Sequence, residues 1–296
     1  MNEFISKRNQ KEIKILIKNF KKEYRRTEVK FFDKMSGITT CRENSLLVDN
    51  LIKDLYRILE QGFNNLSKNF LISAVGGYGR KQLAPFSDLD IVFIHKNSYE
   101  TKKLEKFIQF LLYPLWDLGF NIGHATRTFK QVVESSRKDH IIRTSMLDAR
   151  LICGSRSSFL QLMEEYKNDI SKKGGDFFKE KIDERTKKLN DINFNFFRNE
   201  PDIKETAGSI RDINLIFWGL KILNIIKDVP LKDFLSKNEQ KKLNESLNFL
   251  LTIRCFLHYL SKRSNNKLSF EYQKIIAEKI YAKKNFGINS KVEILM

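Results

Sequence analysis

Cysteine is scarce in this chain. Its three cysteines, Cys41, Cys153 and Cys255, lie far apart and show no metal-ligand spacing. This argues against a disulfide framework and a cysteine-based zinc motif, and it predicts free thiols in the reducing cytoplasm. The 296 residues also contain no apolar run of eighteen or more, so no membrane span is expected. The first eight residues lack the apolar core of a secretion signal.

Acidic residues are outnumbered. There are 36 aspartates and glutamates against 54 lysines and arginines, a formal net charge of +18. Such an excess suggests nucleic-acid binding. However, 38 of the basic residues are lysines and only 16 are arginines, which are preferred for planar phosphate contacts. No nucleic-acid motif is present either. The composition therefore favours charge spread over the surface, and the positive field would also attract an anionic nucleotide.

Hydrophobic periodicity predicts an α+β protein, in which a small mixed sheet is followed by a helical region. Strands are expected at residues 70–75, 91–94 and 120–128, and no convincing strand follows about residue 155. Helices are expected at residues 9–27, 48–59, 103–118, 128–138, 140–152, 156–170, 175–198, 210–226, 237–262 and 269–283. The first helix has an apolar face and a basic face. It packs on the domain or lies on a membrane surface, and packing is favoured.

A glycine-rich turn and two aspartates separate two apolar strands. Gly76 and Gly77 follow the first strand, and Asp88 and Asp90 open the second. Because strand side chains alternate between faces, the two aspartates point the same way, and paired carboxylates suit Mg²⁺. Paired glycines let backbone N–H groups approach a phosphate closely. Together these features predict metal-assisted transfer of a nucleotidyl group.

This segment resembles the nucleotidyltransferase superfamily that includes DNA polymerase β. It is more similar to the bifunctional uridylyltransferase/uridylyl-removing enzymes that act on the nitrogen-regulatory protein PII. The resemblance rests on Gly76-Gly77-Tyr78-Gly79-Arg80, Leu83, Pro85 and Ser87-Asp88-Leu89-Asp90. Further blocks lie at residues 115–119, 123–128, 148–154, 200–212, 254–258 and 268–270, so the resemblance covers residues 40–296 approximately. Ser209 stands where the family usually has a second glycine.

The resemblance implies a Mg²⁺-dependent enzyme that transfers UMP from UTP to a tyrosine hydroxyl of PII and releases pyrophosphate. It also implies N-terminal helices at 1–67, a nucleotidyltransferase domain at 68–155 and a helical, substrate- or nucleotide-associated domain at 156–296. The alternatives are another protein- or small-molecule nucleotidyltransferase, such as an adenylyltransferase, and a non-catalytic nucleotide-binding module. The chain has no His-Asp doublet, so the family's HD hydrolase and ACT sensor domains are expected to be missing.

The residues of the motif receive predicted roles. Asp88 and Asp90 would hold Mg²⁺, and Gly76 and Gly77 would donate to the β- and γ-phosphates. Ser87 would bond a phosphate, orient Asp88 or simply serve the turn.

The remaining predicted roles rest on the matched blocks. Arg80 would reach a phosphate or face solvent, and Lys204 and Arg211 would contact the nucleotide or substrate. Many superfamily members have a third acid on a later strand, but Gly123 and His124 stand there in this chain. Two carboxylates then suffice, an acid arrives from elsewhere, or His124 acts as general base. A packed, structural His124 is an equal alternative.

Overall fold

The computed structural model describes residues 6–63, 70–96, 101–191, 199–228, 230, 233–284 and 286–296. Its four strands are β1 Phe70–Ala74, β2 Leu89–His95, β3 Ile122–Thr128 and β4 Arg150–Gly154. Its helices are α1 Lys7–Lys34, α2 Gly37–Glu60, α3 Gly76–Gly79, α4 Thr101–Asp117, α5 Phe129–Lys138, α6 His140–Leu147, α7 Arg156–Asp191, α8 Ile210–Lys227, α9 Lys237–Ser261, α10 Phe270–Ile280 and α11 Ile288–Leu295. This confirms the predicted α+β fold class.

The chain forms two compact units. The first contains Met1–Val29, Cys41–Leu83 and Ser87–Lys173, and the second contains Lys30–Thr40, Ala84–Phe86 and Gly174–Met296. The division into segments 1–67, 68–155 and 156–296 stays a prediction.

The sheet of the first unit has the strand order β3-β2-β1-β4. β1 pairs antiparallel with both β2 and β4, whereas β2 and β3 are parallel. Ile72, Ala74, Ile91 and Phe93 lie in register on one face of the sheet, and they join a buried core with residues of α2 and α4. Because side chains alternate along a strand, Asp90 belongs to the opposite face.

Two helix predictions were wrong. Residues 150–152 were expected to be helical, but α6 ends at Leu147 and β4 follows it along β1. A short apolar run fits both periods, and pairing with the buried strand β1 decides between them. The helices expected at 156–170 and 175–198 are one helix, α7, which continues through Gly174 and Gly175. Residues 192–198 lie outside the described residues.

The second unit is helical. Phe31 packs against Phe256 and Tyr259 of α9, with ring centroids 4.7 and 5.4 Å apart. The N–H of Gly37, where α2 begins, donates to Thr252 Oγ1 at 2.8 Å. In the described parts of both units, no helix is long and apolar enough to cross a membrane.

Candidate functional site

The two aspartates lie where β2 begins. This is the end of the sheet at which β1 ends and β3 also begins. Backbone hydrogen bonds fix this edge: Val75 N–H donates to the Asp90 carbonyl at 3.0 Å, and Leu89 N–H donates to the Asn121 carbonyl at 2.8 Å. Asp88 and Asp90 are both exposed, although Leu89 between them is buried. The alternation of the strand therefore presents both carboxylates to solvent on one face.

Two glycines leave room for the Asp90 carboxylate. A Cβ atom on Gly76 would lie 3.1 Å from Asp90 Oδ2, and a Cβ atom on Gly123 would lie 2.8 Å from Asp90 Oδ1. Gly76 also has φ +56°, a conformation that favours glycine. Gly123 is the register partner of Asp90. A third acid at position 123 would thus compete for the space that the Asp90 carboxylate occupies.

Asn121 is a site residue that the sequence analysis missed. Its side-chain amide donates to Asp88 Oδ1 at 3.0 Å, and it stands two residues before Gly123 on the same strand face. The Ser87 hydroxyl oxygen, in contrast, is buried and has no hydrogen-bond partner among the described residues. The contact that orients Asp88 comes from Asn121, and the only sequence signal for it is the alternation shared with Gly123.

His124 is not brought to the aspartates. It pairs with Ile91 in the register of β2 and β3, whereas Gly123 pairs with Asp90. The His124 ring lies 6.2 Å from the Phe93 ring and 6.4 Å from the Trp116 ring, measured between centroids. Because consecutive strand residues face opposite ways, His124 lies on the face opposite Asp90, with aromatic neighbours.

The glycine turn, residues 76–80, is tied to α2 and β4 by buried polar groups. Tyr78, which is 1% exposed, donates its hydroxyl to Asp49 Oδ1 at 2.7 Å. Arg150 pairs with the same carboxylate, with Nη1 2.5 Å from Oδ2 and Nη2 3.1 Å from Oδ1. Burial, and then the Asp49 charge, raises the pKa of Tyr78 well above its usual value. The phenol therefore remains protonated, and a hydrogen-bond donor, even at alkaline pH.

Arg80 forms an ion pair instead of lying in open solvent. Its guanidinium donates to Asp148 Oδ2 and, through Nε, to Gln82 Oε1 at 3.0 Å. Its side chain is 13% exposed, and that of Asp148 is 1% exposed. Neither predicted alternative named this partner, although Asp148 lies in a block that carried the family resemblance. The contact gives Arg80 a structural role beside the turn.

The second unit contains the other two predicted residues. Lys204 lies in the segment 199–209, which we call the Arg185 loop, and Arg211 lies in the first turn of α8. Arg211 is paired with Glu205, with Nη2 2.6 Å from Oε1. Burial, and then the charges of Arg254 and Arg211, lowers the pKa of Lys204. A half-buried group of cations of this kind would be stabilised by an anion.

Arg185 of α7 holds this loop. It donates to the carbonyls of Glu205 and Thr206, both at 2.8 Å, and to Asp212 Oδ1 at 2.6 Å. Ser209, the residue that departs from the family pattern, is the N-cap of α8 and donates its hydroxyl to the Lys204 carbonyl at 2.8 Å. Serine therefore makes hydrogen bonds at this position that glycine could not make, because glycine has no side-chain oxygen.

Two known families match the two halves of the chain. The family described as "Nucleotidyltransferase domain" matches residues 56–150, and "GlnD PII-uridylyltransferase" matches residues 176–293. The bifunctional uridylyltransferase/uridylyl-removing enzyme of Phenylobacterium zucineum is 34% identical over 253 residues, 82% of this chain and 27% of the relative. The enzyme of the same name from Azospirillum brasilense is 33% identical over 266 residues, 86% of this chain and 28% of the relative.

The chain belongs to the bifunctional uridylyltransferase/uridylyl-removing enzyme family, of which it represents the transferase region. This agrees with the family resemblance found in the sequence. The chain spans 27–28% of the length of these curated relatives. The nucleotidyltransferase match includes the glycine turn and both aspartates, and the second match includes the Arg185 loop.

The candidate site provides part of the ligand set that a magnesium ion needs. Within the described residues, no group of three or more acidic, histidine or cysteine side chains is arranged to hold a metal. Asp88 and Asp90 nevertheless offer exposed carboxylate oxygens on one face. Magnesium is usually held by one or two carboxylates, with substrate phosphates and water as the other ligands. Two carboxylates therefore fit an ion that arrives with a triphosphate.

Proposed function

We propose that this chain transfers UMP from UTP to a tyrosine hydroxyl of PII, with release of pyrophosphate. The observation that carries the proposal is the seating of the Asp90 carboxylate between Gly76 and Gly123, with Asp88 on the same exposed face. The names of the relatives support uridylyl transfer as the reaction, and the description of the matched family supports PII as the acceptor.

In this reaction the tyrosine oxygen attacks the α-phosphorus, and the bond from that phosphorus to the oxygen bridging to the β-phosphate breaks. Asp88 and Asp90 would hold Mg²⁺, which supplies positive charge against the triphosphate oxygens. The N–H groups of Gly76 and Gly77 lie at the start of α3, where a helix has no internal acceptors for them. We therefore expect them to donate to the terminal phosphates of the nucleotide.

The attacking hydroxyl must lose its proton on the face that carries the aspartates. His124 lies on the other face, against Phe93 and Trp116. The position of His124 on that face argues against its role as general base, and because His124 is exposed, it is not a packed core residue either. Solvent or a carboxylate of the aspartate pair is the better proton acceptor. Lys204 and Arg211, with the cationic surroundings of the Arg185 loop, remain proposed contacts of the nucleotide or of PII.

The direct test is transfer of label. The protein would be incubated with Mg²⁺, PII and either α-labelled UTP or α-labelled ATP, and label on PII would be measured. We expect label from UTP, loss of labelling when the acceptor tyrosine of PII is replaced by phenylalanine, and loss to background in Asp90→Asn. Asp54→Asn is the matched control, because Asp54 lies on α2 in a surface pair with Arg57.

Each result has a defined meaning. Labelling by ATP alone would favour an adenylyltransferase, and unchanged labelling by Asp90→Asn would refute the catalytic assignment. Binding of UTP without transfer to PII would favour the non-catalytic module.

A further inference from the structure

We propose that Asp49 and Arg150 are positioning residues for the glycine turn and act on it through Tyr78. The inference rests on the proposed function, because it assigns the phosphate-binding backbone of that site a support from outside the turn. Neither residue touches the reacting groups. Their contribution is to hold the N–H groups of the turn in one orientation.

The glycine turn is not stable in its observed conformation without support from the rest of the fold. Three of the four residues of α3 are glycines, which lose more backbone entropy on ordering than any other residue and weaken a helix. A single helical turn is also below the length at which a helix is stable alone. The conformation of the turn must therefore come from tertiary contacts.

Those contacts converge on Tyr78 and its neighbour. Arg150 donates Nη2 to the Tyr78 carbonyl and Nε to the Gly79 carbonyl, each at 3.3 Å. Its guanidinium also lies 5.4 Å from the centroid of the Tyr78 ring. The Asp49 carboxylate accepts hydrogen bonds from the Tyr78 hydroxyl and from both terminal nitrogens of the Arg150 guanidinium. One carboxylate on α2 thereby fixes the side chain of the turn and, through arginine, its backbone.

Because this arrangement is largely buried, it tolerates the loss of a partner poorly. The Asp49 side chain is 4% exposed and that of Arg150 is 21% exposed, so the loss of one partner leaves a poorly solvated charge. Gly79 packs so tightly that a Cβ atom would overlap the Asp148 carbonyl oxygen. Even a small shift of the turn would therefore bring it into steric conflict with the residues just before β4. The position matters for the reaction, because a displacement of about 1 Å in a positioned group can lower a rate about 100-fold.

The test uses two variants and a control in the full chain. Asp49→Asn keeps the shape and removes the charge, and Tyr78→Phe removes only the hydroxyl and leaves the Asp49–Arg150 pair intact. Asp169→Asn is the control, because Asp169 pairs with Arg143 and Arg137 between α6, α5 and α7. For each protein, the KM for UTP and the kcat would be measured, together with amide hydrogen exchange over residues 74–82.

We expect Asp49→Asn to raise the KM for UTP about 10-fold, the lower end of the effect of removing supporting partners at sites of this kind. Tyr78→Phe should raise it less, about threefold, because it removes only the hydroxyl's hydrogen bond to the Asp49 carboxylate, and Arg150 still holds the backbone of the turn. Both should speed exchange in residues 74–82. Asp169→Asn should change neither property. A merely structural role predicts a smaller active fraction, seen as lower kcat at unchanged KM.

The outcomes separate the inference from the proposed function. Wild-type protein that transfers no nucleotide would overturn the proposed function before any variant is compared. Active wild type with unchanged exchange or unchanged KM in both variants would overturn the inference alone. Should Asp49→Asn fail to fold, Tyr78→Phe decides by the same two readouts.

Discussion

The glycine turn of the first unit and the Arg185 loop of the second are held by the same device. In each, one arginine donates to two consecutive backbone carbonyls and pairs with one aspartate. Arg150 pairs with Asp49, and Arg185 pairs with Asp212. Both segments have backbone carbonyls that accept from a side chain, and one guanidinium can satisfy several such acceptors at once.

The two segments differ in where their charges lie. The glycine turn carries one charged side chain, Arg80, and that side chain is engaged by Asp148. The Arg185 loop carries one cation, Lys204, and three acids, of which Glu205 pairs with Arg211 of the following helix. Under the proposed function, the turn would offer backbone donors and would need only to be rigid. The loop offers side-chain charge, which its neighbours already balance in part.

Removal of Arg185 should have the largest effect. Arg185→Met removes the ion-pair partner of Asp212 and the donor to two loop carbonyls, and the Arg185 side chain is only 8% exposed. We expect the free energy of unfolding, measured in urea, to fall by about 3–4 kcal/mol, toward the lower end for broken buried pairs, because the Asp212 side chain is 30% exposed. Arg57→Met, which breaks an exposed pair on α2, should cost less than about 1 kcal/mol. Equal losses would show that the loop does not depend on Arg185.

The buried histidine of the second unit, His258, should also produce a pH effect. His258 of α9 is fully buried, and burial, followed by the charge of Arg254, lowers its pKa from 6.5 to about 4. The folded state then binds fewer protons than the unfolded state between these values, so stability falls as the pH drops. Over this window the protein should lose about 3 kcal/mol through this group.

The pH effect can be measured by difference. The unfolding free energies of the wild type and His258→Gln, determined from pH 7 to pH 4, should diverge by that amount, and the imidazole resonance should titrate near pH 4. A His258 resonance that titrates near 6.5 would contradict the prediction. It would also remove the contrast with the glycine turn, whose buried Tyr78 has a pKa raised by burial and does not titrate in this pH range.

A smaller effect is expected beside the glycine turn. In Gly123→Ala the new methyl group would displace the Asp90 carboxylate, from which its Cβ would lie only 2.8 Å away. We expect kcat for nucleotidyl transfer to fall about 100-fold, equivalent to about 2.7 kcal/mol in the barrier, with little change in unfolding. The control is Gly175→Ala, because a Cβ atom at Gly175 meets no other atom within 4 Å. Unchanged kcat in Gly123→Ala would mean that the seat of Asp90 is not needed.

Much of this arrangement was predictable from local pattern. The glycine turn and the aspartates at the start of β2 follow from apolar runs and their breaks. The strand predicted at 120–128, observed at 122–128, follows from a loose alternation, and family membership follows from the blocks around these features. Strand β4 was not predictable in this way, because residues 150–154 are too short for periodicity to distinguish strand from helix. Its pairing with β1 supplies the missing information, and the same pairing delivers Arg150 to the turn.

Register explains the other differences. The sequence shows Gly123 and His124 side by side, but only pairing with β2 places Gly123 opposite Asp90 and His124 on the face with Phe93. Arg80 and Asp148 are 68 positions apart, so no spacing rule could join them.

The amino-acid sequence by itself determined the fold class, the family and the position of the carboxylate pair, because these depend on periodicity and on ordered motifs within about twenty residues. Only the tertiary structure decided which glycine makes room for Asp90, which face receives His124 and which buried charges hold the glycine turn. Those facts depend on contacts between elements distant in the chain, such as Asp49 of α2 with Arg150 of β4. The glycine and aspartate motif would supply the groups for the proposed transfer, and the packing around it sets their geometry.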